Sequence, residues 1–394
     1  MTVLTPTSFP DLSPLVQAIP KNPLRALYPY AARPGMLNLA SGHPSPDAYD
    51  RDGLAEAARR ATGDASAWSY GPTAGDPQLI AALEALSPPR PDGHRLIVTS
   101  GAQQAVDLAL RCLARPGSAV AVPEPVYPAI LSICAAAGLR AVGYAVAGDP
   151  ELAGLERVLG RGDIAALYAQ PTFSNPGGET WTLPLRRRLL ELCGRHGVAV
   201  VEDDPYRALA FTGAPPETLM TLSAAVPGAM VIWAGSLSKI LAPGLRLGWA
   251  AVPDRLAGPM TELRQAGDLQ PNALAQRVAV HYLDLGKLDA HLARVIGLYQ
   301  ARSQRLAAVL GSAGFAFEPA AGGMFLFPAL PPGAARAGLF ERAVASGVLY
   351  APGPAFALDQ ADGRFSDRLR LCFAGLDESA IATAAAWLVA ALEG

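Results

Sequence analysis

Lysine is scarce in this sequence: of 32 lysine and arginine side chains, only Lys21, Lys239 and Lys287 are lysines. Such an excess of arginine generally reflects nucleotide composition. It also makes each remaining lysine informative, because a guanidinium stays protonated and cannot form an imine with an aldehyde. Cysteine is nearly as rare. Cys112, Cys134, Cys193 and Cys372 lie in apolar surroundings with no C-x-x-C spacing, which argues against a zinc site or a disulfide framework and for core thiols in a reducing compartment. Net charge is only -2, so nothing electrostatic calls for nucleic acid. No G-x-G-x-x-G follows a strand, which disfavours a nicotinamide enzyme. The first twenty residues lack a basic segment followed by a continuous apolar one, and the longest apolar run, Ala380 to Leu392, is too short for a bilayer. The expectation is a soluble, cytoplasmic protein with no nucleic-acid or membrane partner and no metal, with small uncharged or anionic partners left open.

What is present in quantity is apolar sequence, 51% of 394 residues. A chain of this length exceeds the size at which single cores stop growing, so two domains are expected. Short apolar runs at Leu96 to Thr99, Ala119 to Val122, Ile164 to Ala169, Val198 to Glu202, Met230 to Ala234 and Leu247 to Val252 read as buried strands separated by helical segments. That alternation predicts an α/β fold with a mostly parallel sheet. Pro184 to Cys193 has helical period, with Leu185, Leu189, Leu192 and Cys193 on one face and the run Arg186, Arg187, Arg188 read as a solvated surface. From Leu288 the pattern changes to longer helices, Leu288 to Leu310 and Ala334 to Ser346, around short strands at Met324 to Phe327 and Leu369 to Phe373. The division expected is an arm over 1–45, a large domain over 46–285 and a smaller α+β domain over 286–394.

The densest chemistry lies just past the strand Met230 to Ala234. Ser236-Leu237-Ser238-Lys239 is followed by Pro243-Gly244-Leu245-Arg246-Leu247-Gly248, so two hydroxyls, a lysine and an arginine leave one strand end together, with glycines where backbone can approach closely. Such a group can hold a dianionic phosphate by charge-assisted bonds while the lysine amine bonds an aldehyde. Ser100-Gly101-Ala102-Gln103-Gln104 follows another strand and opens a helix, whose first N–H groups are ready anion donors.

These motifs resemble those of the class I and II, fold-type I aminotransferases that use pyridoxal 5′-phosphate, whose lysine segment reads S-x-S-K with G-x-R-x-G beyond it. The resemblance extends along almost the whole chain and implies the aspartate-aminotransferase-like fold. It implies that Lys239 binds the cofactor covalently and that Gly101, Ala102, Gln103, Ser236, Ser238 and Arg246 hold its phosphate. Tyr127, in Pro125-Val126-Tyr127-Pro128, is similar to the aromatic residue stacked on the pyridine ring. Asn175, in the segment Gln170 to Gly178, and Tyr206 match the residues that bond the phenolic O3′, and Asp203 the residue on the ring nitrogen. A carboxylate there favours the protonated ring, a better electron sink. Arg370, in Leu369-Arg370-Leu371-Cys372-Phe373, is implied as the partner of the substrate carboxylate, although Arg368 shares its strand face and spacing alone does not choose between them. Gly322-Gly323-Met324-Phe325 resembles a segment that packs near the site. Gly42 corresponds to a glycine near the substrate carboxylate, but Tyr49-Asp50 stands where the family has F-P. Tyr70, in Tyr70-Gly71-Pro72-Thr73-Ala74-Gly75, is similar to a tyrosine that reaches the neighbouring subunit's phosphate, which implies a homodimer.

The implied reaction is a ping-pong exchange of an amino group between an L-amino acid and a 2-oxo acid. Leu27, Tyr28, Tyr30 and His43 are candidates to line an aromatic or apolar side-chain pocket, or else arm packing. The nearest branch is that of the aromatic, kynurenine and 2-aminoadipate aminotransferases. Two alternatives stay open at this stage. One is another fold-type I enzyme, such as a β-lyase, decarboxylating synthase or oxidase. The other is the ligand-sensing half of a transcription regulator, disfavoured because the thirty-five or so residues before the body are too few for a winged-helix DNA reader.

Overall fold

The computed structural model describes residues 11–393. Its centre is a seven-stranded sheet of β1 (His94–Thr99), β2 (Ala119–Glu124), β3 (Arg140–Ala145), β4 (Ile164–Ala169), β5 (Ala199–Asp203), β6 (Val231–Ser236) and β7 (Gly248–Pro253). The order across the sheet is β1-β7-β6-β5-β4-β2-β3, and every neighbouring pair is parallel except the two made by β7. Because β7 is antiparallel to both β1 and β6, those two point the same way as the rest. The last residues of β1, β2, β4, β5 and β6 therefore share one edge, together with the first residues of β7.

Alternation along each strand divides the side chains between two cores. Leu96, Val98, Ala119, Ala121, Leu167, Val200 and Trp233 belong to one, and Ile97, Val120, Val122, Tyr168, Val201 and Ile232 to the other. A sheet buried on both faces is the normal consequence of helical crossovers, and it explains why these strands read as continuous apolar runs. β3 was not evident in the sequence. It is an edge strand with Gly143 in its middle and only partial burial, so it lacks the aliphatic run that marks the others.

A smaller body follows. Strands β8 (Phe325–Leu326), β9 (Ala351–Pro352) and β10 (Leu369–Cys372) form an antiparallel sheet in the order β9-β10-β8, and the arm segment Leu37–Asn38 pairs in parallel with Val348–Leu349. The 25-residue helix Leu288–Ser312 packs against the C-terminal helix Glu378–Ala390. The helix expected over 334–346 is confined to Leu339–Ala345, because Gly338 at its N-cap has φ +69° and breaks the right-handed backbone before it. Cys134, Cys193 and Cys372 are buried, Cys112 is half-buried, and all four are free thiols. Among the described residues no helix is long and apolar enough to cross a membrane.

Candidate active site

The strand ends that share an edge bring the separated motifs together. β2 runs on to β3 in one direction across the sheet and β4 to β5 in the other, so the crevice between β2 and β4 is a switch point of the kind where open α/β sheets bind ligands. Tyr127, three residues beyond β2, and Tyr168, Gln170 and Asn175, at or beyond the end of β4, line one pocket there.

Lys239 follows β6 and reaches across to the arm, where its Nζ donates to the Gly42 carbonyl at 2.8 Å. Burial drives its ammonium down to about 8. Cys372 and Asp203 oppose that shift, and the Arg370 and Arg246 guanidiniums add to it. A lysine in this environment has a substantial neutral fraction near physiological pH, which nucleophilic and proton-transfer chemistry require. Lys21 and Lys287, by contrast, are exposed.

The acidic run at the end of β5, Glu202, Asp203 and Asp204, is buried throughout. Strand period two sends Asp203 to the face of Val201 and Glu202 and Asp204 to the face of Val200. Register pairs Ala169 with Glu202, which sets Tyr168 and Gln170 against Asp203. Asp203 Oδ2 accepts from Tyr168 Oη at 2.7 Å and from Gln170 Nε2 at 2.9 Å, whereas Oδ1 is buried without any partner. Burial raises this carboxyl to about 6, against the two hydrogen bonds. Tyr168 and Gln170 as partners of Asp203 escaped sequence reasoning. Their only local signal is a tyrosine and a glutamine that end an otherwise aliphatic strand.

A cradle with the opposite charge forms between β1, β6 and β7. The helix Ala102–Leu113 begins at Gly101, φ +85°, with no side-chain cap, so its leading N–H groups are open. Ser236 Oγ accepts from Ser238 N at 3.1 Å, and Arg246 donates to Ser238 Oγ at 3.4 Å and to the Ser100 carbonyl at 3.0 Å. Gly248 is required here: a Cβ would stand 2.7 Å from Ala102 N and 2.6 Å from the Gly101 carbonyl carbon. Gly244 has open space around it, so no close approach explains that glycine.

Arg370, the residue expected at the substrate carboxylate, comes from the smaller body. Arg370, on β10, is buried between Phe325 and Phe356, 4.7 and 5.0 Å from their ring centroids. It donates to Asn175 Oδ1 at 3.0 Å and to the Ala40 carbonyl, and its Nε has no partner. Arg368 instead bonds the Phe327 carbonyl over the Phe327 ring. Tyr206 is buried with its ring edge-on to Phe325. Gly42 lies against Phe325, which a Cβ would approach to 3.0 Å.

Not every sequence expectation joins this cluster. Tyr70 is 87% exposed, in a loop whose Gly71 N donates to Gln270 Oε1. Leu27 belongs to a core group with Phe327, Leu349 and Phe356, and Tyr30 packs edge-on against Phe340, so both serve packing. Tyr28 remains half exposed, close enough to Tyr127 to influence it electrostatically. The reading of Arg186 as part of a solvated face is wrong. Arg187 is exposed, but Arg186 is wholly buried and donates to the carbonyls of Trp181, Glu217 and Pro171 and to Thr172 Oγ1. Three consecutive arginines span a wide arc of a helix, so one of them turns inward.

The chain is similar to known proteins along most of its length. The family model "Aminotransferase class I and II" matches residues 34–388. The chain is 34% identical over 379 residues to a 2-aminoadipate transaminase of Thermus thermophilus, covering 94% of each chain. It is 31% identical over 359 residues to an aromatic-amino-acid aminotransferase of Thermococcus litoralis, covering 84% of this chain and 83% of that one. The crystal structure of the α-aminoadipate aminotransferase of Thermus thermophilus, complexed with N-(5′-phosphopyridoxyl)-L-leucine, superposes with a TM-score of 0.85 at 34% identity over 97% of both chains. With the lysine, the buried aspartate and the cationic cradle at one sheet edge, this chain belongs to the class I and II aminotransferases, enzymes dependent on pyridoxal 5′-phosphate.

Proposed function

We propose that this aminotransferase works with Lys239 as its catalytic base and Asp203 and the Arg246 cradle as the two anchors of its cofactor, on an L-amino acid with an aromatic or other apolar side chain. The observation that carries this reading is the buried, unpartnered Oδ1 of Asp203 at the same sheet edge as a buried lysine. A carboxylate with one oxygen accepting two hydrogen bonds and the other free fits a protonated ring nitrogen, and unpaired buried charge is otherwise strongly unfavourable. The cradle of Arg246, Ser236, Ser238 and the N–H groups of Ala102 and Gln103 offers the donors that a dianionic phosphate needs.

When bound, pyridoxal 5′-phosphate supplies the carbonyl that accepts the amino group and a ring that draws electron density from the substrate Cα. The chain's own residues do the rest. Lys239 Nζ moves the proton at Cα, helped by its lowered proton affinity. Asp203 would hold the ring nitrogen protonated. Tyr127 would cover one ring face, and Asn175 and Tyr206 would bond the phenolic oxygen. Arg370, already fixed by Asn175, would take the substrate carboxylate through its remaining donors, beside Gly42.

Support for an apolar side chain comes from the phenyl rings around Arg370, from exposed Tyr28 and from the names of the relatives, one aromatic and one bound to a leucine adduct. We propose as well a cytoplasmic homodimer in which exposed Tyr70 reaches the neighbouring site. The proposed division is an arm over 1–45, a large domain over 46–285 and a small domain over 286–394, with the arm strand Leu37–Asn38 docked on the small domain.

Lys239→Ala is expected to lower turnover by about four orders of magnitude. Normal multiple turnover in that variant would end the assignment. Substrate class is tested by screening amino donors against 2-oxoglutarate and pyruvate. Aromatic and branched donors are expected to give the highest kcat/KM, and exclusive use of dicarboxylic donors would overturn that part alone.

A further inference from the structure

One buried cation has no role in the chemistry above. Arg186, in the helix Leu183–His196, is fully buried, and all three of its nitrogens are engaged. Nε donates to the Trp181 carbonyl at 2.9 Å and Nη1 to the Glu217 carbonyl at 3.1 Å. Nη2 donates to the Pro171 carbonyl at 2.8 Å and to Thr172 Oγ1 at 2.9 Å. A guanidinium is costly to bury unless its donors are satisfied and anions are near. The carboxyl groups nearby are Glu202, whose Oε1 lies 3.9 Å from Nη1, and Asp204, which Arg207 also opposes; burial raises both, Glu202 to about 7, and Arg186 works against that rise.

Both sets of partners lead to the site. Pro171 and Thr172 directly follow Gln170, whose amide holds Asp203 Oδ2, and they precede Asn175, which fixes Arg370. One side chain thus grips the segment from which both the acid and the substrate arginine are positioned. On the sheet, Glu202 and Asp204 face away from Asp203, towards the side covered by the helix of Arg186. Glu202 accepts from Leu219 N and Met220 N at 2.9 Å each. Asp204 accepts from Trp233 Nε1 at 3.1 Å through Oδ2, and its Oδ1 has no hydrogen-bond partner. Three consecutive carboxyl groups with this little solvent need a fixed positive charge behind them.

We infer that Arg186 is a positioning residue for this active site, holding the 170–175 segment and balancing Glu202 and Asp204 so that Asp203 is presented with Oδ1 free. The inference rests on the cofactor reading given above and extends it to a residue that touches neither cofactor nor substrate. Loss of the cation would leave the Pro171 carbonyl with Trp181 N alone, at 2.9 Å, remove the cation nearest Glu202 and leave Asp204 with Arg207 as its remaining counter-charge, on the strand that carries Asp203.

The test is the dissociation constant of pyridoxal 5′-phosphate for the full-length apoenzyme, with its melting temperature followed in parallel. Arg186→Met is expected to weaken binding about tenfold or more. Arg186→Met/Asp204→Asn removes one carboxylate along with the cation and can keep the acceptor for Trp233. It is expected to recover about threefold or more of the loss. A role in packing alone does not respond to deleting a carboxylate, so equal losses in the two variants would overturn the inference, as would an affinity for Arg186→Met within about twofold of the parent. If Arg186→Met does not fold, Thr172→Val reads the same link: a loss of roughly threefold is expected, and unchanged affinity overturns it. A parent chain that binds no pyridoxal 5′-phosphate would overturn the functional reading itself, a result distinct from any variant-specific loss.

Discussion

The two ends of the site handle charge in opposite ways. At the ends of β1 and β6 and the start of β7, the cradle is made of open N–H groups, two hydroxyls and Arg246, which is solvent-exposed. At the ends of β4 and β5, charge is sealed in: Asp203 is buried under Tyr168 and Gln170, and the acids behind it are backed by Arg186. A phosphate brings its own charge and needs donors that water can reach beforehand. A ring nitrogen is a weak base, and a carboxylate holds it protonated only where the dielectric is low. The open end therefore suits affinity and the closed end chemistry.

That contrast breaks first at the closed end. Asp203→Asn keeps the shape and removes the charge. With an ion pair at roughly 4 Å contributing about 4 kcal/mol at an effective dielectric near 20, turnover is expected to fall by about three orders of magnitude. Steady-state kinetics with saturating cofactor would show it. A loss under about tenfold would mean that the ring nitrogen is not Asp203's partner.

The open end should fail differently. Arg246→Met removes charge-assisted bonds of about 1.5–3 kcal/mol. A rise of roughly 10- to 100-fold in the dissociation constant of the cofactor is expected, with kcat near the parent value once the site is saturated. Collapse of kcat with unchanged affinity would reverse the roles assigned to the two ends.

The smallest effect lies in pH. In the apoenzyme Lys239 releases its proton near pH 8 and in the unfolded chain near 10.5, so between those values the unfolded state holds more protons and stability gains as pH rises. Asp203 acts with the other sign: its folded carboxyl, raised to about 6 from 3.8, stabilises the fold at low pH and loses that contribution as pH rises through 6. Urea unfolding of apo Lys239→Met against the parent should show a smaller gain between pH 8 and 10.5. Parallel curves for the two proteins would mean that the lysine is not buried as described.

Much of the candidate site is legible in the sequence, and particular residues show why. Lys239, Asp203, Asn175 and Arg246 each lie within a few positions of a strand end, so local sequence carries both their chemistry and their place on the sheet edge. Tyr168 and Gln170 also end a strand, but their partnership with Asp203 depends on the register between β4 and β5. β3 was missed because an edge strand buries too little to need aliphatic residues at every position. Arg186 was misread because helical period alone does not say which of three adjacent arginines faces a cavity lined with carbonyls.

The sequence alone determined the α/β alternation, the lysine and its hydroxyl and arginine neighbours, since strand period and short motifs are set by residues close along the chain. Only the tertiary structure decided which oxygen of Asp203 is free, how far burial lowers Lys239, and that Arg186 lies behind the acidic run. Those properties depend on desolvation and on hydrogen bonds between residues far apart along the chain, such as Asn175 and Arg370, which become neighbours only when the strands and the smaller body pack together.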